Sequence, residues 1–166
     1  MAKDALDSVT IRIKVNGVER ILSVKPYETL LDVLRNRLHI LSVKGACTQG
    51  SCGLCTVLVN GRPMKSCMVL AYQVDGAEIT TVEGISNGFE PTVIQRKFIE
   101  HFAFQCGFCT PAFVLVSHYI VDKYKRPLTR EEVAQELKGL ICRCTGYKQI
   151  IDAVVDASVE LYGKKA

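Results

Sequence analysis

Eight cysteines constrain this 166-residue chain more than any other feature. The N-terminus, MAKDALDSVTIRIKV, lacks the basic start and apolar run of a secretory signal, and no apolar stretch reaches transmembrane length. We therefore expect a cytoplasmic protein without a membrane span, in which thiols stay reduced. Cysteines in such a protein indicate metal binding rather than disulfides. They form two sets of four, which are Cys47, Cys52, Cys55 and Cys67, and Cys106, Cys109, Cys142 and Cys144.

The first set has a specific spacing. Its three near cysteines follow the pattern C-x4-C-x2-C, and Cys67 lies further along the chain. This is the spacing of plant-type 2Fe-2S ferredoxins, in which thiolates ligate the irons. Three nearby glycines, Gly45, Gly50 and Gly53, let the backbone wrap closely around a cluster. Zinc is the less favoured alternative, since zinc sites usually take two short-spaced pairs.

The second set is less diagnostic from spacing alone. Cys106-x2-Cys109 and Cys142-Arg143-Cys144 are two short pairs, which could bind zinc or one iron–sulfur cluster. A redox-active C-x2-C motif is a further alternative, but it normally occurs in a βαβ context that this half of the sequence lacks. Spacing therefore predicts a metal site here without identifying the metal.

The first half of the chain has the pattern of an α+β domain. Two alternating runs from Val9 to Val24 flank Asn16-Gly17, which predicts a β-hairpin. Residues 26–40 have apolar residues at helical spacing, with Thr29 as the N-cap. Residues 56–59 and 62–70 predict a second hairpin, from which Cys67 would be presented, and residues 77–82 a further strand. We place this domain, a mostly antiparallel sheet against one helix, at residues 1–82.

The second half has the pattern of a small helical bundle. The segment EGISNGFEP, residues 83–91, is rich in Gly, Asn, Ser and Pro and is the best candidate for a linker. Four helices are predicted after it, at residues 92–102, 111–124, 129–137 and 147–161. Thr129 and Glu132 have the spacing of a capping box. We therefore place a four-helix bundle domain at residues 92–166.

Charge and motifs argue against several other functions. The net charge of +4 is spread along the chain, and two anionic clusters would offset it, so no nucleic-acid binding is expected. The three histidines lack the paired spacing of a metal site. The sequence contains no G-x-G-x-x-G motif, P-loop or recognisable hydrolytic triad. We therefore predict no catalytic residue on this chain.

Three strings resemble a known family. CTQGSCGLCTV from Cys47 to Val57, QCGFCTP from Gln105 to Pro111 and CRCTGY from Cys142 to Tyr147 are similar to motifs of the small iron–sulfur subunit in the xanthine oxidase family of molybdenum hydroxylases. This family includes aldehyde oxidoreductases and carbon monoxide dehydrogenases. The resemblance implies a ferredoxin-like β-grasp domain followed by a four-helix domain. It also implies that each cysteine set holds one 2Fe-2S cluster.

The resemblance further implies partners. Relatives assemble with a large subunit that binds molybdopterin, as the cytosine dinucleotide, and with a medium FAD-binding subunit. Gln105 and Cys144 match positions that approach the pterin, and electrons would pass from molybdenum through both clusters towards FAD. Three residues depart from the family pattern, namely Ala46, Ala112 and Leu140. A free-standing ferredoxin-like carrier and a zinc-stabilised interaction module remain the alternatives.

Overall fold

The computed structural model describes residues 8–86, 88 and 90–163. The predicted first hairpin is confirmed: β1 (Val9–Val15) pairs antiparallel with β2 (Val18–Val24). Asn16 and Gly17 both have positive φ, 49° and 83°. Two consecutive left-handed residues form the tight turn that matches strand twist, which explains why Asn-Gly ends the first strand here.

A five-stranded sheet organises the first half of the chain. The remaining strands are β3 (Thr56–Val59), β4 (Arg62–Lys65) and β5 (Glu78–Thr80), and the sheet order is β2-β1-β5-β3-β4. Among the strands in the described residues, β1 and β5 are the one pair that is parallel. The strand predicted over residues 62–70 is too long. β4 ends at Lys65, because a 3-10 turn, Ser66–Met68, follows directly after it.

One helix covers the sheet, as predicted, and it follows the predicted N-cap, Thr29, but it ends at Arg37 rather than at residue 40. α1 (Leu30–Asp32) continues as a π-helical segment, Val33–Arg37. Thr29 is the N-cap, and its Oγ1 accepts a hydrogen bond of 3.1 Å from the amide of Asp32. The apolar residues Leu30, Leu31, Val33 and Leu34 are buried in the core beneath the sheet.

The second half contains the four predicted helices. They are α2 (Val93–Glu100), α3 (Thr110–Tyr124), α4 (Arg130–Glu136) and α5 (Lys148–Tyr162). The capping box of Thr129 and Glu132 is confirmed. The α+β class, with a ferredoxin-like domain before a helical domain, is thus confirmed. Within the described ranges, no helix is both long and apolar enough to cross a membrane.

The apolar core of the described residues has two clusters, and cysteines belong to both of them. One cluster lies under the sheet and includes Cys55 and Cys67. The other lies among the helices around Phe98 and Phe113 and includes Cys109 and Cys142. Cys52 and Leu54 precede β3, but they pack in the helical cluster. The cysteine loop of the first half therefore lies against the second half. The domain limits of 1–82, 83–91 and 92–166 stay a prediction, and residues 1–7 and 164–166 lie outside the described residues.

Candidate metal centres

The first cysteine set lies on the loop before β3. Cys47 is half-buried and Cys52 is buried, and the amide of Cys52 donates a hydrogen bond of 3.3 Å to Cys47 Sγ. The loop passes through left-handed backbone at Thr48, Gly50 and Gly53, so that its amides turn towards the sulfur. Amide hydrogen bonds from Gln49 and Cys52 lower the pKa of Cys47 to about 6. A thiolate, the form that binds metal, is thus favoured at Cys47.

Cys55 and Cys67 meet on the buried side of the same loop. The amide and hydroxyl of Ser66 both donate to the Cys55 carbonyl, at 3.2 and 2.7 Å. These bonds turn the chain after β4, so Cys67 is presented from the 3-10 turn rather than from the predicted strand. Burial raises the pKa of Cys55 to about 11, and the neighbouring Cys67 thiol adds to this effect. A metal cation would therefore be needed to hold both thiolates in this place.

The second set joins two segments that are far apart in sequence. Cys106 and Cys109 lie on the connection before α3, and Cys142 and Cys144 lie on the connection before α5. The sulfurs of Cys106 and Cys144 are 3.6 Å apart and both residues are exposed. Cys109 and Cys142 are buried, and burial together with the Cys142 thiol raises the pKa of Cys109 to about 12. The set therefore consists of two cross-segment pairs.

Two residues that we did not select from the sequence support Cys142. The amide and hydroxyl of Thr145 donate to Cys142 Sγ at 3.4 and 3.1 Å. Burial by itself would raise the pKa of the Cys142 thiol. The hydrogen bonds from Thr145 outweigh burial, so the pKa of Cys142 is lowered. The hydroxyl of Tyr147 accepts a hydrogen bond of 3.1 Å from the Cys142 amide. The only sequence signal for either role is that both hydroxyl residues follow the cysteines within CRCTGY.

The donor chemistry of both sets fits a 2Fe-2S cluster. Each set offers four thiols, and amide or hydroxyl donors reach the sulfurs of Cys47 and Cys142. Pairs of cysteines suit two irons, and hydrogen bonds to sulfur tune such clusters. In the part of the chain that the structure describes, no group of three or more His, Cys, Asp or Glu side chains is placed so that it could hold a metal ion, so the thiols of each set meet as pairs rather than as one group of four.

Gln105 and Cys144 lie on the exposed side of the second set. Gln105 is exposed and directly precedes Cys106, whose sulfur faces that of Cys144. Phe102, with 79% of its surface exposed, and Phe104 lie on the same connection. The candidate pterin-contacting residues thus lie in an exposed region rich in aromatic side chains.

Comparisons with known proteins agree with this geometry. Residues 13–81 match a family described as a 2Fe-2S iron-sulfur cluster binding domain, and residues 81–155 match a second family described as a 2Fe-2S binding domain. The small FeS subunit of nicotinate dehydrogenase from Eubacterium barkeri is 41% identical over 149 residues, which cover 90% of this chain and 94% of that one. The small subunit of nicotine 6-hydroxylase from Paenarthrobacter nicotinovorans is 42% identical over 158 residues, which cover 95% of this chain and 94% of that one.

Solved structures give the same result. Quinoline 2-oxidoreductase from Pseudomonas putida 86 contains a chain that superposes with a TM-score of 0.88 at 41% identity, covering 93% of this chain and 95% of that one. By the two family matches, residues 13–81 and 81–155 are 2Fe-2S binding domains. Aldehyde oxidoreductase from Desulfovibrio desulfuricans superposes equally well, with a TM-score of 0.88 at 41% identity, covering 95% of this chain but 18% of that one. The chain belongs to the family of small iron–sulfur subunits of molybdenum hydroxylases.

Proposed function

We propose that this chain is the electron-transfer subunit of a molybdenum hydroxylase and that its eight cysteines bind two 2Fe-2S clusters. The pairing of thiols from separate segments carries the proposal, above all the 3.6 Å approach of Cys106 and Cys144. When bound, such clusters accept and release single electrons. One cluster would be held by Cys47, Cys52, Cys55 and Cys67, and the other by Cys106, Cys109, Cys142 and Cys144.

The chain's own residues would hold each site in two ways. Buried positions such as Cys55 and Cys109 exclude water from one side of each set. Amide and hydroxyl donors at Cys52 and Thr145 compensate negative charge on the ligating sulfurs. The proposed ligands therefore combine soft thiolate donors with a pre-formed hydrogen-bonding environment.

We also propose that a larger molybdopterin-binding subunit covers the second set. Cys106 and Cys144 are exposed, and Phe102, Phe104 and Phe108 expose large apolar surfaces on the same connection. Exposed aromatic groups near a redox site are typical of a protein interface. In the Desulfovibrio enzyme the matching region is 18% of one longer chain, which supports a permanent contact with the remainder of such an enzyme.

Within that assembly, Gln105 and Cys144 would approach the pterin, bound as its cytosine dinucleotide. Electrons would enter through the second set and leave through the first towards FAD on a medium subunit. The exposed position of the second set supports this order of transfer. A cytoplasmic location is consistent with eight free cysteines.

The test is purification of the assembled complex under anaerobic conditions. We expect about four irons and about four acid-labile sulfides per chain, a brown colour, and two distinct paramagnetic signals after reduction. Co-elution with larger subunits that contain molybdenum and FAD would support the assembly. A colourless zinc protein would overturn the cluster assignment. A chain that elutes alone with both clusters would instead identify a free-standing electron carrier.

A further inference from the structure

The two cysteine loops meet at Gly53, where a side chain cannot be accommodated. Gly53 has a φ of 72° and lies directly after Cys52. A Cβ atom at this position would lie 2.7 Å from Leu140 Cδ2 and closer still to the carbonyl oxygen of Gly139. Because the nearest atom belongs to the backbone, it cannot rotate away as a flexible side chain could. The absence of a side chain at Gly53 therefore permits the close contact between the loops.

Other contacts hold the same junction together. The amide of Ile141 donates a hydrogen bond of 3.0 Å to the carbonyl of Cys52. Leu140 is buried and packs in the helical core together with Cys52 and Leu54. The residue after Ile141 is Cys142, the first cysteine of the CRC string. The first loop thus supports the backbone that leads directly into the second cysteine set.

We propose that Gly53 is a positioning residue for the second cluster site. Its close contact with Gly139 and Leu140 fixes the segment that presents Cys142 and Cys144 to Cys109 and Cys106. This inference rests on the proposed function, because it takes these four thiols as ligands. It goes further in making the second site dependent on a residue of the first loop, so that the two sites are not built independently.

A Cβ atom at Gly53 would displace the Gly139 carbonyl, and the shift would reach Cys142 within three residues. Cluster sites depend on accurate ligand placement, so a displacement of this size should weaken iron binding. Gly50 provides a matched control on the same loop, since its φ is 78°. The three atoms nearest to a Cβ at Gly50 would all belong to the flexible Met68 side chain, at 3.1 to 3.9 Å, and Met68 is 62% exposed.

The experiment compares Gly53→Ala with Gly50→Ala in the assembled complex. Both variants carry the same backbone strain, so any common effect reports on the first loop alone. We expect Gly53→Ala to lose half or more of the second cluster's paramagnetic signal, or to shift its line shape and potential. The first cluster's signal should fall no further than in Gly50→Ala. Equal second-cluster signals in the two variants would overturn the proposal.

Leu140→Ala keeps the proposal testable if Gly53→Ala fails to assemble. This variant removes packing at the junction without adding backbone strain. We expect it to weaken the second signal at an unchanged first signal, and an unchanged second signal would contradict the positioning role. A wild-type complex without two clusters would instead refute the proposed function, so the two failures are distinguishable.

Discussion

Lys44 and Phe108 link the two cysteine loops directly: Lys44 Nζ lies 5.6 Å from the centroid of the Phe108 ring. Lys44 is three residues before Cys47, and Phe108 lies between Cys106 and Cys109. The amide of Lys44 also donates to the carbonyl of Leu54 at 3.2 Å. This cation–π contact therefore holds one positive charge close to both proposed cluster sites.

Replacement of Lys44 by Met should make both reduction potentials more negative. Reduction adds an electron to a site that is already anionic, and a nearby cation favours that step. The expected shift is on the order of tens of millivolts for a partly screened charge. Potentiometric titration followed by paramagnetic resonance measures it. Lys123→Met is the control, since Lys123 lies near the opposite end of α3 from Cys109, and equal potentials in both variants would contradict this prediction.

Replacement of Cys67 by Ser should remove only the first cluster. Cys67 is buried in the core under the sheet, whereas Cys109 and Cys142 belong to the helical core. The substitution leaves the backbone at Gly53 in place, so the support of the second site is retained. Iron should fall from about four to about two per chain, with one remaining signal. Cys109→Ser should give the reverse pattern, and loss of both signals from either variant would show that the sites assemble only together.

Replacement of Gln105 by Ala should slow electron entry while both clusters remain. Gln105 is exposed beside Cys106, where its amide can pair with the donor and acceptor edge of a pterin. Loss of one or two such hydrogen bonds predicts a roughly two- to tenfold slower bleaching of the clusters after substrate is mixed with the complex. Gln49→Ala is the matched control, since Gln49 is also an exposed amide and lies beside the first set. Equal rates of cluster bleaching in the two variants, at equal molybdenum content, would show that Gln105 has no role in electron entry.

Replacement of Tyr147 by Phe should destabilise the second site. The Tyr147 hydroxyl accepts a hydrogen bond from the Cys142 amide. The Tyr147 ring packs edge-on against the Phe113 ring, with centroids 6.2 Å apart. Phe keeps the ring contact and removes only the acceptor, at a cost of about 1 kcal/mol. Urea titration followed by the visible absorbance of the clusters measures this cost. Tyr119→Phe, in a ring packed on the same core, should have less effect, and a larger loss there would contradict the assigned role of Tyr147.

Local patterns explain what could be predicted from the sequence. Asn16-Gly17 has the conformational freedom that a tight hairpin needs, and Thr129 with Glu132 forms a cap from residues three apart. Both features depend on neighbouring residues only. The cysteine spacing likewise determines which loops carry the donor groups. These signals were sufficient for the order of strands and helices along the chain.

Long-range contacts explain what the patterns missed. The start of α1 at the predicted cap Thr29 is also held from outside the helix, since the Leu30 amide donates to the Val69 carbonyl at 2.7 Å beside a bridge between Thr29 and Leu70. β4 ends before the predicted residue 70 because the amide and hydroxyl of Ser66 donate hydrogen bonds to the Cys55 carbonyl. The contact of Gly53 with Gly139 joins residues that lie far apart in sequence. None of these contacts produces a periodic pattern in the sequence, so they could not be predicted from single segments.

The burial of Cys52 and Leu54 in the helical core has a consequence for exchanging parts between related proteins. A helical half transplanted onto a foreign ferredoxin-like half would lack the two side chains that fill its surface beside Cys142. The loop of the foreign half would have to supply side chains of the same size, equally buried, at the positions of Cys52 and Leu54, together with a glycine at the position of Gly53. The two halves are therefore a co-adapted pair, and chimaeras should be designed with the loop around Cys52 kept together with the helices.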